Sequence, residues 1–169
     1  MDRQEPQPST NQAAAPAALF AEYLRYYRET AIEKVAALPV AEQRSSRLPS
    51  GWTPLELLQH LAYMERRWLC WNFLGVPVEQ PWGDRRDDRW HVADDVDLEQ
   101  VATMLREVGA GTDEVLASRS LDELSRPPDD YPGPQAPLSW ICFHVLQEYA
   151  RHVGHLDVAV ELAGGPTGE

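Results

Sequence analysis

The sequence predicts an all-α protein, a four-helix bundle joined by long crossover loops. Four segments place apolar residues three and four apart, the spacing of one helix face. No segment sustains the period-two alternation of a half-buried strand, so no β-sheet of consequence is expected. Capping and stop residues bracket several of the helical segments.

The first helix is predicted over about residues 14–38, with Phe20, Leu24, Tyr27, Ala31, Val35 and Leu38 as its apolar stripe and Pro39 just past its end. The second opens at Thr53-Pro54-Leu55-Glu56, which supplies an N-cap hydroxyl, proline at the first helical position and a glutamate to close a capping box. It runs to about Leu74 and stops at Gly75, with Leu57, Leu61, Met64, Trp68 and Trp71 as its stripe and His60 beside it. The third opens at Asp97, with Gln100 three residues on, and its stripe is Leu98, Val101, Leu105, Val108, Thr112 and Val115. Gly109 and Gly111 each cost this helix about 1 kcal/mol relative to alanine, so a kink is expected there. The fourth runs from about Leu138 to Ala163 and ends at Gly164-Gly165-Pro166.

Two connections are long. Residues 75–96 contain Pro77, Pro81, Trp82 and Trp90, and the aromatic rings argue that this loop packs. Residues 117–137 are rich in proline, with a short helical turn expected over 120–124. Long crossovers let consecutive helices run parallel, so a plain up-down-up-down meander is not expected.

The chain has 169 residues, enough for one domain with a real core, taken as residues 14–165. Residues 1–13 are polar, then rich in Pro, Gln and Ala, and read as a disordered arm without the features of a signal peptide. A net charge of −12 argues against nucleic acid and anionic membranes as partners. No apolar run approaches the ~20 residues of a membrane span. Cys70 and Cys142 lie inside apolar helical segments and are expected as free thiols in a cytoplasmic protein.

The last helix carries His144, Glu148, His152 and His155 at spacings of four, four and three. They share a face with Ile141, Val145, Leu156, Ala159 and Ala163, and ionisable groups entering a core are costly unless something satisfies them. A divalent metal would do so. Glu148 and His152, one turn apart, can grip one ion, and His60, the one histidine of the second helix, is the best third ligand. Two nitrogens and a carboxylate oxygen suit zinc or nickel, and also iron or manganese, with a position open for water or substrate. The same spacing also admits a Glu148–His152 hydrogen bond that merely holds the core, or two solvated groups.

His155 is read as a further ligand or as a donor that orients one, and His144 as hydrogen-bonding Glu148 or packing at the far end of the site. His91 is expected in solvent, as are Asp157 and Glu161. Trp52, Trp68, Trp71 and Trp140 are read as core or interface, and Glu65-Arg66-Arg67 as solvated or subunit-facing. There is no phosphate-binding glycine loop, dinucleotide fingerprint or serine nucleophile elbow.

The stretches Gly51-Trp-Thr-Pro-Leu-Glu-Leu-Leu-Gln-His60-Leu-Ala-Tyr-Met-Glu-Arg-Arg-Trp68 and Glu148-Tyr-Ala-Arg-His152-Val-Gly-His155 resemble the DinB superfamily over about residues 17–165. The likeness is closer to its actinobacterial branch, which includes mycothiol S-transferases and mycothiol-dependent maleylpyruvate isomerase. The resemblance implies an up-down-down-up bundle, often a homodimer, and a metal triad of His60, Glu148 and His152. It also implies a cytoplasmic, divalent-metal-dependent transferase. The metal would activate a low-molecular-weight thiol such as mycothiol for attack on an electrophilic small molecule. A non-catalytic metal-binding or stress-response module and a metal-dependent hydrolase would use the same three ligands.

Overall fold

The computed structural model describes residues 4–7 and 15–165. Of the arm expected over residues 1–13, positions 1–3 and 8–13 lie outside the described residues. Gln4 and Pro6 border a shallow cleft with Glu22, Arg25 and Tyr26.

The helices are α1 (Pro16–Ala36), the single turn α2 (Val40–Gln43), α3 (Pro54–Arg66), α4 (Leu98–Ser118) and α5 (Leu138–Leu162). The four long ones form the bundle. Both α1 and α3 pack chiefly on α4 and α5, so α1 and α3 are diagonal partners, and so are α4 and α5. Two steps of the chain, α1 to α3 and α4 to α5, therefore cross a diagonal; the second uses the long connection expected over 117–137, while the first uses residues 37–53, and the long connection over 75–96 joins the neighbours α3 and α4. No described helix is long and apolar enough to cross a membrane.

Local chemistry sets the helix starts. The Thr53 N–H donates to Glu56 Oε2 at 2.8 Å while Glu56 N–H donates to Thr53 Oγ1 at 3.3 Å, closing the predicted box. Asp97 and Gln100 make the same reciprocal pair at 2.8 and 2.9 Å. At the far end of α5, Gly164 takes φ +79°, and the Gly164 and Gly165 amides donate to Glu161 and Val160 carbonyls.

Two features differ from the sequence expectations. The second helix runs on past Arg66, but Arg67–Phe73 widens into a π-helical segment, where Leu74 N–H donates to the Leu69 carbonyl five residues back. α4 stays helical through Gly109 and Gly111. The Arg28 side chain of α1 packs against Gly109: a Cβ there would lie 2.6 Å from Arg28 Nε. Over residues 120–124 the expected single turn forms, Glu123 N–H to the Ser120 carbonyl. The only strands among the described residues are β1 (Arg85–Arg86) and β2 (Arg89–Trp90), an antiparallel hairpin turning at Asp87 and Asp88.

The core is built from the predicted stripes, with Leu24, Leu57, Leu61, Leu105, Ile141 and Leu156 fully buried. It also holds a polar knot that periodicity did not show. Arg28 of α1 grips Glu65 of α3 through Nε (3.0 Å) and Nη2 (2.9 Å). Tyr149 of α5 and Thr112 of α4 each donate a hydroxyl to the same carboxylate at 2.5 Å. One buried carboxylate thus ties the four bundle helices together. Glu65 and Arg67 are accordingly buried rather than solvated, because each meets a charged partner, while Arg66 reaches the Glu79 carbonyl at the surface. Trp71 enters the core; Trp140 stays half exposed, stacked flat on His144 at 5.2 Å. Cys70 and Cys142 are free.

Candidate metal centre

α3 and α5 bring His60, Glu148 and His152 together. One ligand atom from each lies within 4.8 Å of the other two, a spacing that a single divalent cation spans. His60 and His152 are both buried, and Glu148 is half-buried. Within α5, His152 Nε2 stands 3.1 Å from Glu148 Oε2. That contact satisfies the core-holding reading too. His60 joins this pair from a separate helix, so the three side chains form a possible site for one cation.

His60 is held from behind. Its Nδ1 lies 2.9 Å from Asp84 Oδ2, and Asp84 is fully buried. Burial would raise this carboxyl, but hydrogen bonds from His60 and Arg67, with the Arg67 charge, outweigh it and hold the group below the usual carboxylate range. An ionised Asp84 keeps the proton on Nδ1 and leaves the Nε2 lone pair for a cation.

Arg67 in turn clamps Asp84, with Nη1 at 2.7 Å from Oδ1 and Nη2 at 3.2 Å from Oδ2. Nη1 also donates to the Pro81 carbonyl at 2.9 Å, and the guanidinium lies 4.4 Å over the Trp82 ring. Arg67 is the first residue of the π-helical segment, and Asp84 sits in the loop before the hairpin. Sequence reasoning missed both: the one available signal was that this long loop carries aromatic residues and so must pack.

On α5, burial first and the neighbouring His60 second push the His152 imidazole down to about 4, against the pull of Glu148. His152 is therefore neutral at pH 7, the form a metal ligand needs. His155 is exposed, with Nδ1 3.4 Å from His152 Nδ1. His144 does not hydrogen-bond Glu148; it packs between Trp68 (4.5 Å) and Trp140, and burial lowers its pKa. His91 is half-buried rather than solvated, because its loop folds back on α3: Gln59 donates to its carbonyl at 2.8 Å, and its own N–H donates to the Asp84 carbonyl at 2.9 Å. Asp157 pairs with Lys34, and Glu161 is exposed as expected.

Aromatic rings wall the centre. Trp90 stacks on His60 at 4.5 Å and meets His152 edge-on at 5.3 Å. Trp52 extends the wall to Trp90 (6.1 Å) and His155 (6.3 Å). Neither cysteine is primed as a nucleophile: burial pushes the Cys142 thiol up to about 12 and raises Cys70 as well. The three side chains could hold a divalent cation, with an oriented histidine and a partly apolar surround beside them.

A mycothiol S-transferase family model matches residues 19–165, and the chain belongs to that family. A crystal structure of a DinB-like protein from Bacillus cereus ATCC 10987 superposes with a TM-score of 0.65 at 18% identity, covering 89% of this chain and 94% of that one. That likeness establishes the DinB-like fold. No curated protein matches the chain.

Proposed function

We propose that the protein is a divalent-metal-dependent transferase that activates a low-molecular-weight thiol, mycothiol by family membership, for attack on an electrophilic small molecule. The observation that carries this reading is the convergence of His60, Glu148 and His152 from two helices. The donor set suits zinc or nickel first, with iron or manganese also compatible. When bound, such a cation lowers the pKa of a coordinated thiol, so that thiolate prevails at neutral pH.

The chain's own part is positioning. Asp84 and Arg67 fix the His60 tautomer and ring plane. Glu148 would contribute the single negative charge of the donor set, so a dication held there would keep net positive charge to attract a thiolate. Trp90 and Trp52 would form an apolar wall beside a thiol bound there. The thiol gives its proton to solvent, and the new C–S bond forms as a carbon–halogen or epoxide C–O bond breaks, the halide leaving with the bonding pair or the epoxide oxygen taking a proton from water. No cysteine of the chain enters the sequence of bonds. A homodimer is the assembly proposed for it.

The test is conjugation of mycothiol to monochlorobimane by the metal-loaded protein, with and without a chelator. Chelator-sensitive conjugation is expected. A metal-replete protein that leaves the rate at the uncatalysed level would favour a non-catalytic module.

A further inference from the structure

A histidine that ligates a cation needs two things at once: a lone pair on one nitrogen and a partner for the proton on the other. A neutral imidazole carries one lone pair and one N–H. For His60 the proton on Nδ1 goes to Asp84. His152 needs a corresponding acceptor. Its ring is 5% exposed, so water is a poor substitute.

The two nitrogens of His152 face different neighbours. Nε2 stands 3.1 Å from Glu148 Oε2, so it is the nitrogen turned to the shared ion site. Nδ1 stands 3.4 Å from His155 Nδ1, and among the described residues no other hydrogen-bonding group meets it. Trp90, edge-on to the ring at 5.3 Å, has an indole N–H and no acceptor. Residues three apart are neighbours on a helix surface, so α5 itself sets the contact between the two imidazoles. His155 is exposed, and Trp52 flanks its ring at 6.3 Å. An Nδ1···Nδ1 contact is attractive only when one nitrogen carries a proton and the other a lone pair, so the two tautomers are tied together. Without a cation, His152 Nε2–H serves Glu148 and Nδ1 accepts from His155. With Nε2 given to a cation, the one proton of His152 lies on Nδ1, and His155 is the group that can accept it.

We infer that His155 is a positioning residue of the metal centre: its Nδ1 lone pair accepts the His152 Nδ1 proton when Nε2 ligates, and its own proton then sits on the solvent-facing Nε2. Loading the site therefore changes the tautomer of both rings. The Nε2 proton of His152 leaves to solvent, the Nδ1 proton of His155 passes to His152 Nδ1, and His155 takes a proton from solvent on Nε2. Neither ring changes charge. Of the roles that periodicity left to His155, ligand or donor to a ligand, the geometry selects neither: it is the acceptor. The inference rests on the cation reading of His60, Glu148 and His152.

The experiment has two arms, both on the full-length protein. In the first, zinc affinity is measured by competition with a chromogenic chelator for wild type, H155L and H155N, each checked for unchanged helicity by circular dichroism. The amide oxygen of asparagine can stand near the place of Nδ1 and accept the same proton; leucine cannot accept it. H155L should bind zinc about tenfold more weakly, with H155N within about twofold of wild type. In the second arm, the ring nitrogens of the zinc-loaded wild type, labelled with 15N-histidine, are read by long-range proton–nitrogen NMR. His155 should show a protonated Nε2 and a bare Nδ1, with neither nitrogen bonded to zinc. Zinc affinity unchanged in H155L, or equally reduced in H155L and H155N, would overturn the inference. So would a proton on His155 Nδ1 in the zinc-loaded protein, and a zinc-bound nitrogen on His155 would make it a ligand instead. A wild type that binds no zinc would overturn the cation reading along with this one, whereas zinc held equally by wild type and H155L overturns this one alone.

Discussion

Asp84 accepts the Nδ1 proton of His60 at 2.9 Å, from a loop position 24 residues along the chain, while Arg67 fixes the same carboxylate from the end of the helix that carries His60. The histidine is thus oriented by the protein itself. D84N keeps the size of the side chain and removes its charge. Metal affinity, measured by competition with a chromogenic chelator, should fall about 10- to 100-fold. An unchanged affinity would reduce Asp84 to a packing role.

Arg67 is a test of the same relay through stability. R67M leaves the Asp84 charge buried with only His60 beside it. Removing one partner of a buried pair costs about 3–5 kcal/mol, which a urea denaturation curve would show as a lowered midpoint. The variant D84N/R67M should recover part of that loss, since no charge is then stranded.

The polar knot gives a parallel expectation in the core. R28M leaves Glu65 with two hydroxyl donors and no countercharge, and should cost a similar ~3–5 kcal/mol. G109A tests the same contact from the other side. Alanine favours a helix by about 1 kcal/mol, yet its methyl would meet Arg28 Nε at 2.6 Å. The clash should win by about 1–3 kcal/mol, because the guanidinium is pinned by Glu65 and cannot swing away. A stabilised G109A would mean that Arg28 is free to move.

The pH dependence follows from His152. In the unfolded chain its imidazole protonates near the ordinary 6.5, but in the metal-free fold only near 4. Between these values the unfolded state binds more protons, so stability drops as pH falls from about 6.5 to about 4. Asp84 works in the same direction lower down. Its carboxyl is held below the ordinary 3.8, so its contribution is present above that pH and is lost as pH falls through the native value. Urea midpoints of the chelator-treated protein across this range should show the upper limb flattened in H152Q. A wild-type midpoint that does not move between pH 6.5 and 4 would contradict the depressed imidazole.

The thiols give a simpler expectation. With the Cys142 thiol pushed up to about 12 and Cys70 also raised, C70A and C142A should each conjugate mycothiol as the wild type does. Loss of the reaction in C70A, with fold and metal intact, would return a cysteine to the chemistry.

What the sequence made legible was local. The Thr53–Glu56 and Asp97–Gln100 boxes depend on residues three apart, and the Glu148–His152 pair on residues four apart, so helical periodicity carried them. His60 was reachable because it alone among histidines borders the second stripe. The hidden features are pairings across distance. Arg28 and Glu65 are 37 residues apart, and Glu65 and Tyr149 are 84 apart. Each charged member reads in isolation as a surface residue, because its burial depends on a partner that only the packed bundle supplies. Asp84 is one of several loop aspartates, and nothing local marks it as the one that meets Arg67 and His60. The π-helical segment has no composition of its own. Gly109 reads as a weak point in a helix because the guanidinium that fills its space comes from α1.

Metal stoichiometry tests the central proposition most directly. Zinc and nickel binding to wild type, H60A and H152A would be measured by elemental analysis after dialysis against trace metal. The expected result is about one equivalent per wild-type chain and little in either variant, with all three proteins equally helical. Full metal content in both variants would contradict a centre built from His60, Glu148 and His152.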